Sequence, residues 1–201
     1  MSKAIEKSIV KRCMESSASS AKLAELAPLI AAAGNKATAA IAAGRKVMFC
    51  GNGGSAADSQ HLAAELAGKF RRQRQAWPAL ALTVNTSTLT AVGNDFGYRE
   101  VFARQIAGLG NKGDILIAIS TSGSSDNVLQ AARLARRMGI FVIGFTSMTG
   151  GKLARLSDIA IKVPARRTEL VQELHIIVGH IICGMVEDSL APPSGQRVRR
   201  R

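Results

Sequence analysis

A chain of 201 residues, 47% of them hydrophobic, has the material for one domain with a sizeable core and needs no second. Lysine and arginine outnumber aspartate and glutamate 27 to 14, so the formal net charge is +13 and the partners it favours are anionic, either a charged substrate or nucleic acid. The opening MSKAIEKSIVKRC lacks the apolar run of a signal peptide, and no stretch reaches the ~18 uninterrupted apolar residues of a membrane span, so a cytoplasmic protein without a membrane partner is expected.

Residues 3–45 carry helical spacing: Ile5, Ile9, Val10 and Cys13, then Leu23, Leu26 and Ile30, then the alanine-rich NKATAAIAAG. Two or three helices therefore precede any strand. Short apolar runs follow at KVMFC (46–50), ALALT (79–83), DILIAIS (114–120), IFVIGFT (140–146) and DIAIKV (158–163), with helical segments between them. Such runs suit strands buried on both faces. The alternation predicts an α/β fold, a doubly wound three-layer sandwich around a five-stranded parallel sheet with extra N-terminal helices. Ligands in that architecture sit beyond the carboxyl ends of the strands. A single domain is expected over 1–192, and a disordered basic tail over 193–201.

Basic residues gather at KFRRQR (69–74), ARR (135–137), ARR (165–167) and RVRRR (197–201), with little aromatic interleaving. That pattern reads as a solvated surface with a frayed tail rather than a nucleic-acid site. Cys13, Cys50 and Cys183 are odd in number and show no CxxC spacing, so they are read as reduced packing residues.

Two loops follow strand-like runs. In GNGGSAADSQHLAAEL (51–66), Gly51, Gly53 and Gly54 permit a sharp turn and a close approach to a ligand, and Ser55 is placed to cap the next helix. The loop is neither GxGxxG nor a P-loop. In STSGSSDN (120–127), several hydroxyls precede a helix N-terminus, a combination that suits a phosphate dianion without any lysine. His61 and Glu65, at i and i+4, share one face of the helix leaving the first loop. Gln172 and His180 lie eight residues apart on the C-terminal helix, which separates their Cα atoms by roughly 12 Å.

GNGGSAADSQHLAAEL, TAVGNDFGY, AISTSGSSDNV and VQELHIIVGH, in that order, resemble the phosphoheptose isomerases of the sugar-isomerase (SIS) domain superfamily. The resemblance covers about residues 5–190 and leaves only the basic tail outside. It implies a single SIS domain, a homotetramer with active sites at subunit interfaces, and interconversion of sedoheptulose 7-phosphate and D-glycero-D-manno-heptose 7-phosphate. That reaction opens the route to nucleotide-activated heptose for lipopolysaccharide core or capsule. Matched residue by residue, the family pattern gives Ser120, Thr121, Ser122 and Ser125 to the sugar phosphate. It gives Asn52, Gly53, Gly54 and Ser55, the Asn94–Asp95 pair of the GND turn, and Gln172 to the sugar. Its zinc ligands match His61, Glu65, Gln172 and His180, one ion per subunit.

Aldose–ketose isomerisation moves one proton between C1 and C2 through an enediol and another between the two oxygens, and a carboxylate with an imidazole meets that need. Glu65 is the candidate base and His180 the candidate acid–base at oxygen. A carboxylate held tightly by zinc is a poor base, so Glu65 must exchange roles or the metal must sit loosely. His175 is read as a packed histidine at the edge of the last helix, and Glu173 as a surface or supporting carboxylate. Lys69 stands where many of the family carry arginine, keeping the charge and losing the planar fork. The apolar circumference of ELVQELHIIVGHIICGMVEDSL predicts a helix buried between subunits, with at least one catalytic group crossing to a neighbour's pocket. The rival reading is a non-catalytic SIS protein that binds a protein partner such as the replication initiator. Such a protein has no need of the Glu65 and His180 pair, whose presence favours the enzyme.

Overall fold

The last helix and the first ones build one layer. In the computed structural model, which describes residues 2–192, Ser2–Ala21 form α1, Lys22–Leu26 a 3₁₀ turn and Ala27–Ala42 form α2. The tail expected at 193–201 lies outside the described residues. Pro28 falls in the first turn of α2, where its missing N–H has no intrahelical partner to lose. Both helices thus form within the span whose spacing predicts them. Cys13, expected to pack, is exposed on α1, whereas Cys50 and Cys183 are buried and burial pushes both thiols up to about 12.

The strands are β1 (Val47–Cys50), β2 (Ala79–Ala81), β3 (Ile115–Ile119), β4 (Phe141–Ser147) and β5 (Ile159–Val163), all parallel, in the order β2-β1-β3-β4-β5. Every residue of β1 and β3 is buried, as strands covered on both faces must be. Successive side chains point to opposite faces, so one strand feeds two cores. Val47, Phe49, Ile115 and Ile117 meet α2, α3 (Gly54–Ala67) and α8 (Thr168–Leu190) on one side. Met48, Cys50, Leu116 and Ala118 meet α5 (Val101–Leu109), α6 (Asp126–Arg137) and α7 (Gly151–Leu156) on the other. Helix α4 (Thr86–Phe96) flanks that second layer, capped by Asn85, whose side chain accepts from the Thr88 N–H at 2.9 Å.

The sheet order has its reversal between β1 and β3, which pair directly. Chains leaving those two strands depart toward opposite flanks, which opens a crevice at their carboxyl ends. The glycine loop follows β1 and the serine loop follows β3. Among the described residues α8 is the one helix with the length and mean hydropathy to cross a membrane, 23 residues at 1.4 over its apolar window. Half of that window is buried in the fold, against α2, α3 and the sheet, so the helix is part of the core.

Candidate active site

Helix α3 begins at Gly54 with Gly53 as its N-cap, so Ser55 is not the cap the sequence pattern predicts. It lies buried inside the first turn, and its carbonyl accepts the Ser59 hydroxyl at 2.8 Å. Asn52, three residues ahead of it, is tied across the crevice. Asn52 Nδ2 donates to Asn127 Oδ1 at 2.8 Å, and Asn127 Nδ2 donates back to Asn52 Oδ1 at 2.8 Å. Asn127 Oδ1 also accepts the Val128 N–H at 2.9 Å, and the Tyr98 hydroxyl reaches Asn52 Oδ1 at 3.4 Å.

The serine loop gathers its hydroxyls in one place. Ser120 Oγ lies 3.0 Å from Ser125 Oγ and 3.4 Å from Ser122 Oγ, and Ser122 Oγ accepts the Ser124 N–H at 3.2 Å. Thr121 is held from behind, its carbonyl accepting the Ser147 N–H at 3.3 Å. Gly123 has φ +64, and a Cβ there would fall 2.2 Å from the Gly150 carbonyl, so only glycine lets the loop lie this close to the turn after β4. Ser125 is the N-cap of α6 and does not cap it through its side chain. The hydroxyl cluster therefore stands open at the positive end of a 12-residue helix, the arrangement that binds anions.

Helices α3 and α8 lie side by side with the same sense. Gln172 sits against Gly54, where a Cβ would lie 2.4 Å from its Nε2, and His180 meets His61 seven residues further along α3. This resolves the separation of Gln172 and His180 on one helix, since each faces a different turn of its neighbour. His61 Nε2 lies 2.8 Å from His180 Nε2 and 3.3 Å from Glu65 Oε1, and the three ligand atoms lie within 4.8 Å of one another. Two imidazoles and a carboxylate are the donor set of a three-ligand catalytic zinc site, so these residues fit the metal. The Gln172 amide is packed on the start of α3 instead. Glu65 is eleven residues beyond Gly54, roughly 17 Å along the helix.

Asn94 and Asp95 occupy the last turn of α4, not a separate turn, because the Asn85 cap starts a helix that continues through them. Both are exposed, with Asn94 Nδ2 donating to Asp95 Oδ1 at 2.8 Å. His175 is not at an edge: it is 1% exposed, its ring 5.7 Å from Phe145, and burial pushes its pKa down to about 4. Glu173 accepts from Arg12 Nη2 and from Ser16 Oγ, tying α1 to α8.

Two site residues escape the sequence reading. Asp58 precedes His61 by three positions on the same helical face; burial raises its pKa to about 6 against the opposing pull of His61, and its Oδ2 is buried without a hydrogen-bond partner. The i, i+3 spacing to His61 is the signal that could have found it. Asn127 carries no local signal at all.

A parallel sheet with its crevice at the β1/β3 switch point, a hydroxyl cluster on a helix N-terminus and an imidazole–carboxylate group define a sugar-phosphate-type SIS domain, and the SIS domain family model matches residues 14–147. The phosphoheptose isomerase of Rhodospirillum rubrum is 55% identical over 169 residues, 84% of this chain and 90% of that protein. That of Aneurinibacillus thermoaerophilus is 48% identical over 166 residues, 83% of this chain and 84% of that protein. The chain belongs to the phosphoheptose isomerase family, and it is an isomerase. The solved phosphoheptose isomerase of Neisseria gonorrhoeae superposes with a TM-score of 0.87 at 37% identity, covering 92% of this chain and 99% of that one.

Proposed function

We propose that this isomerase converts sedoheptulose 7-phosphate to D-glycero-D-manno-heptose 7-phosphate, supplying nucleotide-activated heptose synthesis in the cytoplasm. The observation that carries the reading is the His61–Glu65–His180 cluster, which supplies a carboxylate and two imidazoles with ligand atoms within 4.8 Å of one another. Ser120, Thr121, Ser122 and Ser125 bind the phosphate with the α6 N-terminus. Asn52, Gly53, Gly54, Ser55, Asn94, Asp95 and Gln172 line the path of the sugar chain.

Glu65 takes the proton from C1 of the open-chain ketose and returns it to C2, and His180 moves the second proton between the two oxygens. Zinc held by His61, Glu65 and His180 would supply Lewis-acid polarisation of the carbonyl, whereas Gln172, expected as a fourth ligand, sits against Gly54 at the start of α3. The family relationship and the donor set support zinc as that metal.

The working form is a homotetramer with shared sites. Glu65 lies roughly 17 Å along α3 from its own glycine loop, a longer step than the substrate's extended chain bridges comfortably. The phosphate loop of one chain is then served by the Glu65 and His180 of a neighbour. Ile5, Ile9, Val10 and Met14, each more than half exposed on α1, supply an apolar face for assembly. Incubation with sedoheptulose 7-phosphate in deuterated water tests the reading: the aldose product should appear with deuterium at C2, and absence of product overturns it.

A further inference from the structure

The segment between α3 and β2 is organised around one fully buried ion pair. Arg74 and Glu187 side chains are both 0% exposed, a rare condition for charged groups, with Arg74 Nε on Glu187 Oε1 at 3.1 Å. The guanidinium spends its remaining donors on backbone carbonyls, three at the end of α3 and one beyond it at Gln75. Nη1 donates to Leu66, Gly68 and Gln75 at 2.9, 3.0 and 2.9 Å, and Nη2 donates to the carbonyl of Glu65 itself at 2.6 Å. The same guanidinium stacks on Trp77 at 3.6 Å from the ring centroid. Glu187 in turn accepts the N–H groups of Phe70, Arg71 and Arg72 at 3.0, 2.7 and 3.0 Å.

Helix α3 has Gly68 as its C-cap, whose N–H donates to the Ala64 carbonyl, and has no basic residue in its last turn, so Arg74 supplies from outside the donors for the Glu65, Leu66 and Gly68 carbonyls. Glu187 lies seven residues beyond His180, which puts both on one face of α8. We propose that Arg74 and Glu187 are positioning residues for proton transfer: Arg74 fixes the end of α3 that bears Glu65 and His61, and Glu187 fastens that end to the helix bearing His180. The proposal rests on the catalytic reading of Glu65 and His180 given above. A planar fork with five donors is needed, because a lysine ammonium cannot reach four carbonyls and a carboxylate together.

The full-length protein and its Arg74→Lys and Glu187→Gln variants test this, with cobalt(II) as the metal probe. Loss of a group that orients metal ligands lowers affinity or turnover about 10–100-fold, so each variant should bind cobalt(II) more weakly by that factor and lose kcat with KM within about twofold of wild type. Folded variants with unchanged kcat and cobalt(II) affinity, or with a KM rise alone, overturn the proposal. Should both variants fail to fold, hydrogen exchange of the wild type decides: the Phe70, Arg71 and Arg72 amides should open together with the last turn of α3, and independent, faster opening refutes the clamp. A wild type that does not isomerise sedoheptulose 7-phosphate sinks the catalytic reading, while cobalt(II) affinity and exchange still judge the clamp.

Discussion

Asn52 and Asn127 exchange two amide hydrogen bonds of 2.8 Å, joining the glycine loop after β1 to the helix behind the serine loop. The pair sets the orientation of Asn52, so the glycine loop and the serine loop, the proposed sugar and phosphate ends of the crevice, are held in one geometry. Asn127→Asp keeps an acceptor for Asn52 Nδ2 but sets a carboxylate oxygen against Asn52 Oδ1. A buried acceptor left facing another costs about 1–3 kcal/mol, and KM should rise about tenfold while kcat changes less. Steady-state kinetics check this, and an unchanged KM shows that the loops are fixed by other contacts.

Glu65→Gln removes the proposed base and keeps the shape. Turnover should fall about 10²–10⁴-fold with the oligomer intact, the range general-base catalysis supplies. Gel filtration and kcat together give the answer. Near-wild-type activity would take the role away from Glu65.

Ser122→Ala deletes one hydroxyl from the cluster. A hydrogen bond to a charged group contributes about 1.5–3 kcal/mol, so the substrate Kd should rise roughly tenfold to a hundredfold. Calorimetric titration with substrate measures it, and an unchanged Kd places the phosphate elsewhere.

Glu65 and His180 belong to one cluster within a single chain, so variants at those two positions should not rescue each other. Rescue is expected instead between Glu65→Gln, which spoils the proton-transfer half, and Ser122→Asp, which repels the phosphate from the other half. Hybrid tetramers of the two inactive proteins should regain partial activity. Verified hybrids that remain inactive would mean that each site is built from one chain.

Burial lowers the His175 pKa from an unfolded value near 6.5 to about 4. Between those values the unfolded chain binds a proton that the folded one excludes, so stability is full above pH 6.5 and is lost as the pH falls through that window. The contribution is about 3 kcal/mol at 1.36 kcal/mol per pH unit, and His175→Phe should abolish that part of the slope. Urea unfolding at fixed protein concentration across pH 4–7 tests it. An identical slope in the variant would assign the acid sensitivity to other groups.

Local chemistry wrote much of this protein in its sequence. The five strands fall within a residue or two of their apolar runs, because burial on both faces selects continuous β-branched and aliphatic stretches that a single window contains. His61 and Glu65 are likewise local, since spacing of four residues sets them on one helical face. The serine loop is legible for the same reason, as a strand end, a glycine and a helix start in consecutive residues. Contacts across sequence decided the rest. His180 joins His61 across 119 positions, and Asn127 joins Asn52 across 75, through side-by-side packing that no periodicity encodes. Ser55 became a buried first-turn residue because α3 starts two positions earlier than a Ser55 cap would start it, and Arg74, a basic surface residue by pattern, is buried because Glu187 and four backbone carbonyls replace its water. Side chains whose partners lie far along the chain acquire their roles only when packing sets desolvation against the new hydrogen bonds, a balance that belongs to the tertiary structure.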